Sequence, residues 1–136
     1  MLRSIGAIVL GFLLIGTLAM GTERAIIQTL PEYFDTNGRT DDVALLLATL
    51  AYVFLFATLG CWVTARLAPA RPMRHALILG ALGLAFNVAG SIAMWHTAPV
   101  WYHVVGLGLT LPAAWLGGWI RERQVGRTGT SRLAAA

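Results

Sequence analysis

The sequence predicts an all-α integral membrane bundle of four transmembrane helices, built as two helical hairpins. Three observations predict it. First, the 136 residues are 57% hydrophobic and only 12% charged, where soluble domains carry about a quarter charged residues. So short a soluble chain has too little interior to hide that much apolar side chain. Second, four long apolar runs fill most of the length. Each is near the roughly 20 residues that cross a hydrocarbon core of about 30 Å. They leave one membrane domain over 1–120 and no room for a soluble one. Third, arginines and aromatic residues gather at the ends of the runs, as they do at membrane boundaries.

The first span is expected over about 4–22. Arg3 precedes an apolar run from Ile5 to Met20. That run is longer than the apolar region of a signal peptide, and no A-x-A site follows it, so it reads as a retained span. Gly6, Gly11, Gly16 and Gly21 recur every five residues. Each step rotates about 140°, so the four do not share one helix face. Glu23 and Arg24 mark the interface. Ile26, Ile27 and Leu30 keep one side apolar as far as Pro31, where a helix tends to end. A polar loop then runs from Glu32 to Asp42, with a turn signal at Asn37-Gly38.

Asp41 or Asp42 is expected to cap the second span, over about 43–65, because a carboxylate complements a helix N-terminus. The span runs on to Arg66 and stops at Leu67-Ala68-Pro69. Cys61, the single cysteine, lies inside it. It cannot form an internal disulfide and reads as a small apolar side chain. The third span, about 76–95, follows a short basic loop with Pro69 and Pro72. From Ala76 to Trp95 it carries no charge. Near its middle stands Asn87, with Gly80, Gly83, Gly90 and Ser91 recurring beside it at helical spacing. The turn His96-Thr97-Ala98-Pro99 leads into the fourth span, about 100–120. That span contains Pro112, which neighbouring helices can accommodate inside a membrane bundle. Residues 121–136 are basic and rich in small polar residues, and are expected to form a disordered cytoplasmic tail.

Arginine placement gives the orientation. All ten basic residues are Arg. Arg3, Arg66, Arg71, Arg74, Arg121, Arg123, Arg127 and Arg132 fall on one side, and only Arg24 and Arg39 on the other, among more acids. The positive-inside rule then places both termini in the cytoplasm. Trp95, Trp101 and Tyr102 fall at the outer boundary; Trp62, Trp115 and Trp119 fall at the inner one. Because the arginines flank apolar runs, they do not read as a nucleic-acid surface.

Asn87 is the first candidate site. A lone amide in hydrocarbon needs a partner. The fourth span offers one on a face of Gly106, Thr110, Ala113 or Ala114, and Gly117, so the third and fourth spans are expected to pack closely through small residues. The second candidate is an outer cluster of Glu23, Glu32, Asp35, His96 and His103, with Met94 nearby. Carboxylate, imidazole and thioether together could suit a divalent metal or copper, but no two of these residues stand at a ligand spacing. Haem ligation is disfavoured, because His75 lies at the opposite face from His96 and His103. A proton antiporter is disfavoured too: no acidic residue lies inside a span, and Glu23 falls at the interface. No catalytic constellation or phosphate loop is recognisable, so the chain does not read as an enzyme.

The stretch GCWVTARLAPARPMRH from Gly60 to His75 carries a resemblance, with the glycine-bearing helix after it and the turn WHTAPVWYH. Over roughly the second half of the chain, it resembles a group of small four-span bacterial inner-membrane proteins. The resemblance implies a four-helix inner-membrane fold and carries over no activity and no site residue. The expected function is that of a non-catalytic accessory or scaffold, without a cofactor, packing in the bilayer against itself or a larger membrane protein through Gly/Ala faces. An oligomeric transporter or channel around Asn87, Thr110, Thr49 and Tyr52 is the alternative. An outer metal or redox role is the third.

Overall fold

In a computed structural model, described over residues 2–133 and in its side chains over residues 2–126, the chain is an all-α bundle of four long helices. These are α1 (Leu2–Thr29), α2 (Val43–Leu67), α3 (Pro72–Ala93) and α4 (Val100–Leu133). All four are long and apolar enough to cross a membrane, and no span has more than 28% of its apolar window buried inside the protein. Leu10, Leu13, Leu55, Phe86, Ile92 and Val104 are among the large apolar side chains that face outward. Water would penalise that surface, whereas hydrocarbon accepts it. The chain is a multi-pass membrane protein.

Helix ends follow local chemistry. α1 runs about 42 Å at 1.5 Å per residue, so its last turns leave the hydrocarbon core; Pro31 ends it. The next loop is shaped by Asp35, whose Oδ1 accepts from the Asn37 amide at 2.8 Å and the Arg39 amide at 2.7 Å. Gly38 takes φ 75°, as the Asn-Gly signal predicts. Asp42, not Asp41, caps α2: its Oδ1 accepts from the Leu45 amide at 2.7 Å. Asp41 pairs instead with Arg39 at 2.7 Å. The loop is also tied to the α3–α4 turn, where the Thr40 amide donates to the Thr97 carbonyl at 3.1 Å.

The Arg39 guanidinium hydrogen-bonded to Asp41 holds its carboxyl below the ordinary carboxylate range. A carboxyl depressed on folding favours the folded loop above its unfolded value, and that contribution is lost as pH falls through the folded one. Both groups are exposed, so the effect on the whole protein is small. An NMR titration should give Asp41 a lower midpoint in the native protein than in Arg39→Gln; equal midpoints would refute the pairing.

Two boundaries differ from expectation. α3 begins at Pro72, four residues early, because Pro fits the first helical position and Arg71 turns the chain there with φ 50°. It ends at Ala93, and Trp95–Thr97 form a short 3-10 turn. The larger correction is the tail. α4 does not stop at Ile120; it continues to Leu133, so the stretch expected to be disordered from 121 is helical that far. Residues 134–136 of that expected tail lie outside the described residues. Arg121, Glu122, Arg123 and Gln124 are good helix formers. Arg123 also lies over the Trp119 ring at 3.9 Å, and the Trp62 indole donates to Gln124 Oε1 at 3.2 Å.

α1 and α2 pack as one pair and α3 and α4 as another, and α4 packs as extensively on α2 as on α3. Small residues allow these approaches on the arginine-rich side of the bundle. Gly11 lies against Thr64, Gly60 and Leu79, Gly80 against Ala114, and Gly117 against Thr58, Cys61 and Trp62. Cys61, Ala65, Ala76, Leu79 and Ala114 form the buried core there. The Thr64 hydroxyl, fully buried, donates across to the Ala7 carbonyl of α1 at 3.0 Å. In lipid no hydrophobic effect pulls helices together, so close backbone packing and such bonds hold the bundle. Gly6, Gly16 and Gly21 meet nothing within 4 Å. The five-residue glycine repeat indeed makes no common interface.

Candidate functional site

The other half of the bundle, beneath the acidic loop, is not closed in this way. It holds a cavity of about 340 Å³, a size that suits a small organic molecule. α3 contributes Asn87, Gly90 and Ser91, which share one face at i, i+3 and i+4, and Met94 follows just past its end. α2 contributes Leu45, Leu46, Thr49 and Tyr52 at matching depth. The end of α1 supplies Glu23, Ile26 and Ile27, and α4 supplies Tyr102 and His103. From the start of α2 to Tyr52 the cavity descends about 13 Å, so Tyr52 and Asn87 lie near mid-membrane.

Asn87 is both bonded and exposed to this space. Its Nδ2 donates to Thr110 Oγ1 at 3.0 Å and to the Gly106 carbonyl at 3.3 Å, and Thr110 Oγ1 donates to the same carbonyl at 3.0 Å. The amide nitrogen is therefore fully used in joining α3 to α4. Its Oδ1 accepts no hydrogen bond among the described residues and is not sealed, and Asn87 is part of the cavity wall. One side chain thus joins the α3–α4 interface to the cavity wall.

His103 is only 6% exposed, face-stacked on Trp95 with centroids 5.0 Å apart and edge-on to Tyr102. Its Nε2 is sealed and has no partner among the described residues. Glu23 is the one formally charged side chain among the described residues on the wall. It stands with the exposed Asn37 and Gly38 at the rim.

No protein-family model, curated protein or solved structure matches this chain. What its residues do is therefore argued from their geometry.

The expected Asn87–Thr110 contact is present, and Gly80 and Gly83 face α4 as expected, at Ala114 and Thr110. Gly117 is a correction: it packs on α2, not α3, and Gly106 likewise faces Leu50 of α2. On a helix of 3.6 residues per turn Gly106 and Gly117, eleven apart, point within about 20° of each other and both meet α2, whereas Thr110 and Ala114 are turned about 40° and 80° from Gly106, towards α3. Gly90 is a second correction. A Cβ there meets nothing within 4 Å, so Gly90 lines the cavity and joins no helix contact.

The expected cluster of Glu23, Glu32, Asp35, His96 and His103 does not assemble. Among the described residues no three His, Cys, Asp or Glu side chains come together as a metal-binding group. The Asp35 carboxylate is used by the turn amides. Glu32 sits exposed on the turn after α1, and His96 is exposed on the turn after α3. Glu23 and His103 remain, both on the cavity wall with Met94.

Two features escape a reading of the sequence. Gly60 and Thr64, which close the α1–α2 contact, sit in an apolar run that also carries Thr49 and Thr58, so the sequence does not single them out. The cavity has a signal in the spacing of Asn87, Gly90, Ser91 and Met94, but the same spacing of small residues equally suits a helix contact. Cys61 is 2% exposed. It should not react with a water-soluble maleimide in the folded protein and should react fully after denaturation in SDS; rapid native labelling would contradict its burial between the helices.

Proposed function

We propose that this is a non-catalytic binding protein of a bacterial inner membrane, oriented with its arginine-rich face in the cytoplasm. Its cavity takes up a small solute from the outer side. The observation that carries the proposal is the convergence of Asn87, Thr49, Tyr52 and Ser91 on one cavity of about 340 Å³ in a bundle otherwise closed by small residues. Polar groups at mid-membrane are costly unless they have work to do. Apolar walls with Ile26, Leu45 and Leu46, and a single carboxylate at the rim, suit a neutral or singly positive solute with an apolar body. His103 bonds to neither Ser91 nor Glu23 among the described residues, which favours binding over nucleophilic chemistry.

Scaffolding through Gly/Ala faces has less support, because Gly11, Gly60, Gly80 and Gly117 are engaged within the chain. Transport is the second reading. Thr49, Tyr52 and Asn87 share the cavity, and Thr110 holds Asn87 in place. It requires the close-packed half to open during a cycle.

Benzyl alcohol and benzylamine test the proposal as a neutral and a cationic solute of nearly one shape. Trp95, stacked on His103, is the fluorescence reporter. Saturable quenching by both is expected. Asn87→Leu should weaken both about tenfold, the worth of roughly one hydrogen bond. Glu23→Gln should weaken only the amine. Absence of any saturable change for either solute would remove the proposal.

A further inference from the structure

We propose a second site, independent of the cavity: a groove at the start of α3 that holds one phospholipid carrying a single net negative charge, from the leaflet on the arginine-rich side. The groove is open, has a volume of about 570 Å³ and is lined by Arg71, Met73, Arg74, Leu77, Ile78, Ala81 and, from α4, Glu122.

The sequence builds its two ends differently. Pro72 starts the helix, and Arg71 before it takes a left-handed backbone with φ 50°. Arg71 and Arg74 thus stand together at the head of the groove, both exposed. Three other arginines have partners: Arg39 pairs with Asp41, Arg66 lies over Trp62 and Arg123 over Trp119. Arg71 and Arg74 make no ion pair or ring contact among the described residues. Glu122 faces the same groove yet lies beyond ion-pair distance of both.

From there the wall turns apolar. Met73, Leu77 and Ala81 follow at i, i+4 and i+8, one stripe along α3. Leu77 is 40% exposed and Ile78 44%. From Arg71 to Ala81 the helix rises about 15 Å, roughly the depth of one leaflet's hydrocarbon. A charged head above an apolar stripe of that length matches a phospholipid: phosphate between two guanidinium forks, one acyl chain along the stripe over the small Ala81. Two arginines and one glutamate leave a net charge of +1, which one phosphodiester neutralises. Glu122 disfavours a second phosphate.

Native mass spectrometry of the full chain, exchanged into equal amounts of phosphatidylglycerol and phosphatidylcholine with the same acyl chains, tests the site. One retained phosphatidylglycerol per chain is expected, preferred about tenfold. Arg71→Gln with Arg74→Gln should abolish the preference while helicity by circular dichroism is unchanged. Arg66→Gln with Arg123→Gln removes the same charge from the same face and should leave it intact. Ala81→Trp fills the apolar end without touching a charge and should lower retention, which keeps the test decisive if the double arginine variant misfolds. Equal retention of the two lipids, equal loss in both arginine pairs, or displacement by millimolar inorganic phosphate would each overturn the proposal. The last outcome would mark a free-phosphate site.

Discussion

Gly117→Val is expected to unfold the bundle at the α2–α4 interface, with a large loss of stability. A Cβ at this position would lie 2.5 Å from the Thr58 carbonyl oxygen, 2.8 Å from the Trp62 amide nitrogen and 2.9 Å from the Cys61 Cβ. Two of those three atoms are backbone, so no rotamer change relieves the clash; the helices must separate. Overpacking a closed interior costs about 3 kcal/mol where the surroundings cannot yield. In lipid there is no compensating hydrophobic term to hold the parted helices. Gly16→Val is the matched control: nothing lies within 4 Å of a Cβ there. In an SDS titration the Gly117 variant should lose its folded baseline at far lower detergent fraction, and the Gly16 variant should follow the parent. Equal behaviour of the two would mean that α2 and α4 do not touch as described.

Gly90→Leu is expected to abolish solute binding, at least a hundredfold on the order-of-magnitude scale of a filled pocket, with the fold intact. Gly90 lies on the cavity face of α3 between Asn87 and Ser91, with no atom within 4 Å of a Cβ. A leucine side chain therefore grows into empty space and displaces the solute. It also replaces glycine by a better helix former, worth about 0.5–1 kcal/mol in the helix's favour. The benzyl alcohol and benzylamine titrations read the loss, and the SDS titration reads the fold. Retained binding would place the solute elsewhere. This substitution separates cavity from scaffold more cleanly than Asn87→Leu, which also removes the bonds to Thr110 and the Gly106 carbonyl.

The fold is legible in the sequence because lipid makes simple demands. Apolar length sets the number of spans, Pro31, Pro69 and Pro99 lie between them, and Asn37-Gly38 sets the loop turn. The Asn87–Thr110 bond is legible as well, since a mid-membrane amide must find a partner and Thr110 stands at the right depth. Which neighbour each small-residue face meets is not legible. Gly80 and Gly117 belong to similar glycine-bearing faces, yet Gly80 meets Ala114 of α4 while Gly117 meets α2. Gly90 looks like both in sequence and meets nothing. A glycine permits close approach and does not order it, so the outcome depends on how the helices cross. The helical extension past Ile120 is hidden for another reason: its charged composition is that of a tail, and beside the i, i+4 pair Trp119–Arg123 it is supported by Trp62 of α2, whose approach to Gln124 no sequence pattern states.

The decisive measurement is sided labelling of Thr49→Cys in the membrane by a small charged thiosulfonate that cannot cross lipid. Thr49 is half-buried on the cavity wall, and Cys61 is sealed in the core and stays silent. Labelling is expected from the side of the acidic loop and not from the arginine-rich side. No labelling from either side, or labelling from the arginine-rich side, would contradict a cavity that opens beneath that loop and ends at Asn87.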